Sequence, residues 1–157
     1  MTETENITAE KDELLQLVSF NLGKEEFGID ILKVQEIIRM IQITVVPNSK
    51  SFISGVINLR GRIIPVMDLR ARLAMQPKDS DNNTRIIVVS LLENTIGFIV
   101  DSVSEVLRIP ASVTEAPPSI VAGIKSDYIT SVAKLTDRIL ILLDLEKIIA
   151  EGEMALQ

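Results

Sequence analysis

Four arginines, Arg60, Arg62, Arg70 and Arg72, crowd one short stretch and make up half of the eight in the chain. A guanidinium keeps its charge at physiological pH and presents a planar fork of donors. Its chemistry is recognition of carboxylates and carbonyls, not proton transfer. The chain has no histidine and no cysteine. That removes the usual proton shuttle, the commonest metal ligand, thiolate nucleophiles and disulfides. Ser54, Ser90 and Ser102 have no base near them in sequence and no nucleophile-elbow setting. No glycine-rich phosphate loop occurs, and the Arg60-Gly61-Arg62 step is not one. Asp68 and Asp144 could in principle form an acid pair, but each is better explained as a helix cap. No catalytic, cofactor-binding or metal-binding residues are expected; the chain reads as a binding module.

Composition narrows the partner. Of 157 residues, 46% are hydrophobic and only 3% aromatic, so the core must be aliphatic, a bias that favours strands. The net charge of −6, with so few rings, equips the chain poorly for phosphates or stacked bases. The charge is uneven: Glu3, Glu5, Glu10, Asp12 and Glu13 gather in residues 1–13, which read as a disordered acidic tail. The arginines give the opposite local sign, which suits an acidic partner. No apolar run approaches the ~18 residues of a membrane span, and the N-terminus lacks the layout of a signal peptide. A cytoplasmic location, without membrane insertion, is expected.

The elements that must hold the arginines can be read locally. Gly55–Leu73 predicts strand, tight turn, strand and short helix. With Arg60 and Gly61 as the turn, Leu59 faces Arg62, Asn58 faces Ile63 and Val56 faces Pro65. Asp68 then caps a helix starting at Leu69. Upstream, Leu14–Leu22 and Glu26–Ile31 predict strands, followed by a helical turn near Ile31–Gln35 and a strand over the β-branched Ile37–Val46. Gln76–Asn83 is the one strong polar break in the interior. Beyond it, Ile86–Leu92, Thr95–Asp101, Val103–Ile109, Ile120–Lys125, Tyr128–Leu135 and Arg138–Leu143 predict strands, and Asp144–Glu151 a helix.

The two sides of that break resemble each other. Val56 to Leu69 matches Val132 to Leu145, with Arg62 on Arg138 and Asp68 on Asp144; Gly28 to Ile37 matches Gly97 to Val106, with Val34 on Val103 and Glu36 on Glu105. The reading is an all-β chain of two small five-stranded units in tandem, about 14–83 and 84–150, with short helices and room for strand or helix exchange. Units of ~65 residues are marginal alone and must bury surface against each other. A groove along their join, lined by aliphatic residues, would suit a partner helix.

These residues also carry a resemblance. EEFGIDILKVQEI, FISGVINLRGRIIPVMDLR, FIVDSVSEVLRI and DRILILLDLEKII closely resemble the CheW family of bacterial chemotaxis coupling proteins, over about residues 14–154. The resemblance implies two SH3-like β-barrels in residues 14–157. It implies a non-enzymatic scaffold joining chemoreceptor (methyl-accepting chemotaxis protein) cytoplasmic helices to the regulatory domain of the histidine kinase CheA, at membrane-associated receptor arrays. The alternatives are an adaptor of a non-flagellar chemosensory pathway, such as pilus motility, or a small-barrel nucleic-acid-binding module. The family's receptor-facing positions fall on Val34, Glu36 and Arg60, with Ile63, Gly97, Val103 and Val106 as groove neighbours. Gly55, Asn58 and Gly61 shape the turn, and Glu36 is the expected intramolecular partner of Arg60.

Overall fold

The computed structural model describes residues 13–49, 52–91 and 93–152. The acidic tail expected over residues 1–13 lies outside them except for Glu13. Strands β1 (Leu14–Leu22) and β2 (Glu25–Asp30) form a hairpin, and a 3-10 turn at Ile31–Lys33 leads to β3 (Val34–Arg39). Asp30 caps that turn, accepting from Leu32 N at 2.9 Å. Strands β4 (Ile53–Leu59) and β5 (Arg62–Asp68) come next, then helix α1 (Leu69–Arg72). The order then repeats as β6 (Arg85–Leu91), β7 (Asn94–Val100) and β8 (Ser102–Pro110). Short β9 (Thr114–Glu115), β10 (Ile120–Val121) and β11 (Ile124–Lys125) are inserted before β12 (Ile129–Lys134), β13 (Ile139–Leu143) and helix α2 (Leu145–Gly152).

Pairing does not follow chain order. One sheet runs β8-β1-β2-β13-β12-β9 and the other β3-β6-β7-β5-β4. The sheets therefore cut across the expected division at residue 83. Each repeat keeps its last strands and lends its first hairpin to the other sheet. After β2 the 3-10 turn carries the chain across, and β3 pairs with β6; after β7 the chain returns, and β8 pairs with β1. The matched positions of the repeat meet in matched ways. Leu142 pairs with Gly28 in parallel, and Val66 pairs with Gly97 in parallel. Val132 pairs with Glu115, and Val56 bridges Thr44 through bonds of 2.8 and 2.9 Å. The fold is thus two SH3-like barrels related by an approximate twofold axis. Neither ladder closes completely: Thr44–Val56 joins the edges of one, and the continuous path from β8 into β9 joins those of the other.

The β-branched run after Glu36 leaves its sheet earlier than expected. β3 ends at Arg39, and the chain peels away to reach the Thr44 bridge, leaving Val45 73% exposed. Ile57, Ile64, Val66, Ile86 and Val88 fill one barrel, and Leu17, Ile109, Ala133, Leu140 and Leu142 fill the other. The largest cluster lies between them. Phe20 and Phe27, stacked at 5.6 Å, pack there with Phe98, Ile87, Leu69 and Leu145, all buried. The join is a filled core, because each open sheet turns an apolar face to the other.

Gly97 belongs to this packing. A Cβ there would stand 2.8 Å from Ile86 Cγ2. Gly97→Ala is expected to lower stability by about 1–3 kcal/mol, read by urea denaturation, since the barrel has no slack to accept a methyl group. A midpoint equal to that of the parent would show that the strand can shift instead.

Candidate binding face

Arg60 stands at the tip of the β4–β5 hairpin. Its φ is 55° and that of Gly61 is 86°. Two successive positive φ values make the tight turn whose twist matches the flanking strands. The register is the expected one: Leu59 faces Arg62, Asn58 faces Ile63 and Val56 faces Pro65. Asn58 holds the bend, its Oδ1 accepting from Gly61 N at 2.9 Å. The Arg60 guanidinium reaches β3 and pairs with Glu36, so the turn is tied to a second strand. Arg60 stays 68% exposed and Glu36 30%. A pair so open to water adds only ~0–1 kcal/mol of stability; its effect is to orient the guanidinium.

Exposed apolar surface flanks the pair. Ile63, on the strand that leaves the turn, is 64% exposed. Arg62 donates to Thr95 Oγ1 at 2.9 Å. Glu36, Asn58, Arg60, Gly61 and Ile63 are thus assembled into one face: a rigid, basic-tipped bend with an aliphatic flank.

The other anticipated residues are placed differently. Val34 is half-buried against the central core. Val103 and Val106 lie on β8 in the other sheet, at the positions that match Val34 and Ile37; Val103 is half-buried against the core and Val106 is 58% exposed. Gly97 is buried and offers nothing to an outside partner. Gly55 does not shape the turn. It sits at an irregularity in β4 where the Thr44 backbone crosses, and a Cβ would fall 2.1 Å from Thr44 O.

The basic patch also divides. Only Arg60 and Arg62 face outward from it. Arg70 is held by Asp101 through bonds of 2.9 and 2.6 Å. Arg72 lies between two rings, 4.9 Å from Phe52 and 4.8 Å from Tyr128, and donates to Ile148 O at 3.0 Å. Phe52 and Tyr128 are partners in the repeat, as are Arg72 and Ile148, so this contact marks the twofold axis. The composition of the stretch gave no sign of it; continuing the Val56–Val132 match outward would have set the two rings opposite each other. Asp68 and Asp144 are caps, accepting from Arg70 N at 3.1 Å and Lys147 N at 3.1 Å.

Comparison with known proteins agrees with this architecture. The CheW-like domain family matches residues 16–153. This chain belongs to the CheW family. Among its CheW relatives, the chemotaxis protein CheW of Klebsiella aerogenes is 43% identical over 141 residues, covering 90% of this chain and 85% of that protein. The chemotaxis protein CheW of Thermotoga maritima is 36% identical, covering 87% of this chain and 88% of that protein. The crystal structure of the scaffolding protein TtCheW from Thermoanaerobacter tengcongensis superposes with a TM-score of 0.78 at 38% identity, covering 85% of this chain and 86% of that one. The CheW match spans both barrels, so the exchanged strands lie within one family unit.

Proposed function

We propose that this chain is a chemotaxis scaffold that couples chemoreceptor cytoplasmic helices to the histidine kinase CheA, with no catalysis of its own. The observation that carries the reading is the Arg60 bend: a guanidinium fixed by two turn residues and by Glu36, beside exposed Ile63, in a chain of the CheW family. Little backbone freedom is left for Arg60 to lose, so its fork can meet a carboxylate or helix-end carbonyls at low entropic cost. Glu36, Arg60 and Ile63 form the receptor-facing centre, and Val34, Val103 and Val106 support or extend it from the two matched strands. CheA binds through its regulatory domain. Recruitment to receptor arrays runs through these protein contacts. Among the described residues no helix is long and apolar enough to cross a membrane.

Arg60→Ala tests the reading. The variant is expected to fold like the parent, because the side chain is largely solvated, and to weaken assembly by about 1–3 kcal/mol. Calorimetric titration with a receptor cytoplasmic fragment, in the presence of the CheA regulatory domain, measures this. Unchanged affinity would remove Arg60 from the contact.

A further inference from the structure

The repeat gives each barrel a matched arginine, and the two are neutralised differently. Arg138 matches Arg62, Glu105 matches Glu36, and Glu26, just ahead of Gly28, matches Thr95. In the six-stranded sheet one guanidinium holds both matched partners. Arg138 donates to Glu26 Oε1 at 2.7 Å and to Glu105 Oε2 at 3.2 Å. Asp137 Oδ1 accepts a third bond from it at 3.1 Å. In the five-stranded sheet the same two positions are held by two arginines: Arg60 pairs with Glu36, and Arg62 donates to Thr95 Oγ1 at 2.9 Å.

A threonine in place of the matched glutamate changes what the arginine is left to do. The Thr95 hydroxyl fixes the direction of the Arg62 side chain but does not oppose its charge. Among the described residues Arg62 bonds to Thr95 and to no carboxylate. It is exposed, as is Ile63 beside it. The matched arginine shows that this place in the fold can be fully neutralised from within, since Arg138 faces three carboxylates. Around the Arg60 bend two guanidinium groups stand against Glu36 alone. A cation already aimed by a hydrogen bond, with no internal ion pair to break, meets an oppositely charged side chain at low cost in ordering.

We infer that Arg62 is a second contact residue of the binding face, set to receive a carboxylate on the helix that meets Arg60, with Thr95 as its positioning residue. The inference rests on the receptor-facing reading of the bend and adds the chemistry of the partner: that helix carries an aspartate or glutamate opposite Arg62, besides the group that meets Arg60.

Two variants of the full chain test it, Arg62→Gln and Thr95→Glu. Glutamine keeps a donor for Thr95 and removes the charge. Glutamate gives Arg62 the internal carboxylate that Glu26 gives Arg138. Each is titrated with the receptor cytoplasmic fragment, in the presence of the CheA regulatory domain, at about 0.02 M and about 0.5 M salt. Both are expected to bind about tenfold more weakly than the parent at low salt and to differ little from it at high salt. Either variant suffices if the other fails to fold. Parental affinity in a folded variant at low salt overturns the inference. So does a loss of the same size at both salt concentrations, which marks a structural effect rather than a lost charge contact. Arg60→Ala, measured alongside, reports on the bend itself. If it weakens binding and Arg62→Gln does not, the receptor-facing reading stands and this inference falls; if it leaves affinity unchanged, that reading falls.

Discussion

Gly55→Ala should lower the stability of the whole chain by about 3–5 kcal/mol, enough to leave little folded protein at 37 °C. Two costs combine. The backbone at Gly55 has φ 147°, a conformation that L side chains rarely adopt. A Cβ would also lie 2.1 Å from Thr44 O and 2.8 Å from Thr44 C, and these are backbone atoms that cannot swing aside. Relief would require breaking the bridge in which Thr44 N donates to Val56 O and Val56 N to Thr44 O. That bridge joins the two edges of the five-stranded sheet, so its loss exposes both. Gly61→Ala makes the control, because a Cβ at Gly61 meets nothing within 4 Å and meets only the cost of its positive φ, about 1 kcal/mol. Circular dichroism and urea denaturation of the two variants would separate the cases. Equal midpoints would show that the Thr44 crossing is dispensable.

Asp101→Asn should cost about 2–3 kcal/mol at neutral pH and flatten the acid limb of the stability curve. Asp101 sits where the chain passes from β7 to β8 and gathers three segments. It accepts from Arg70 Nε at 2.9 Å and Nη2 at 2.6 Å, and from Gly23 N at 2.7 Å. The side chains of the pair are only 13% and 15% exposed, so removing the charge leaves the Arg70 guanidinium half-matched in a partly dry site. Burial by itself would raise the Asp101 carboxyl, but the hydrogen bonds from Arg70 and from Gly23 outweigh it and hold it below the usual carboxylate range. An unfolded aspartate takes up its proton near about pH 3.9, while the folded one keeps its charge to lower pH. Its contribution is therefore complete above the unfolded value and drains away as pH falls through the folded one. Urea midpoints at pH 7 and pH 3 test this: the parent should lose more between them than the variant does. Matching losses would place the acid sensitivity elsewhere.

The hairpin was legible because its determinants are local. An X-Gly step between aliphatic runs sets the bend, and a period of two then fixes which residues face each other. The caps at Asp68 and Asp144 are legible for the same reason. The repeat was legible as well, since Arg62 and Arg138, or Asp68 and Asp144, hold matching places. Strand partnership across the repeat was not. β1 is as aliphatic as β6, and nothing in either says that β3 will choose the second and β8 the first. Burial at Gly97 and the crossing at Gly55 depend on which backbone lies against them, again a long-range choice. The Arg70–Asp101 clamp joins residues 31 positions apart on different elements, and the charge of the stretch suggested an open patch instead.

Because each repeat lends its leading hairpin to the other sheet, a nick in the segment between α1 and β6 would not release two pieces. Both fragments would stay threaded through one another, and neither could withdraw without dismantling ladders in both barrels. A coupler wired in this way has no weak plane at its waist: tension between the proteins it joins must be borne across both halves at once.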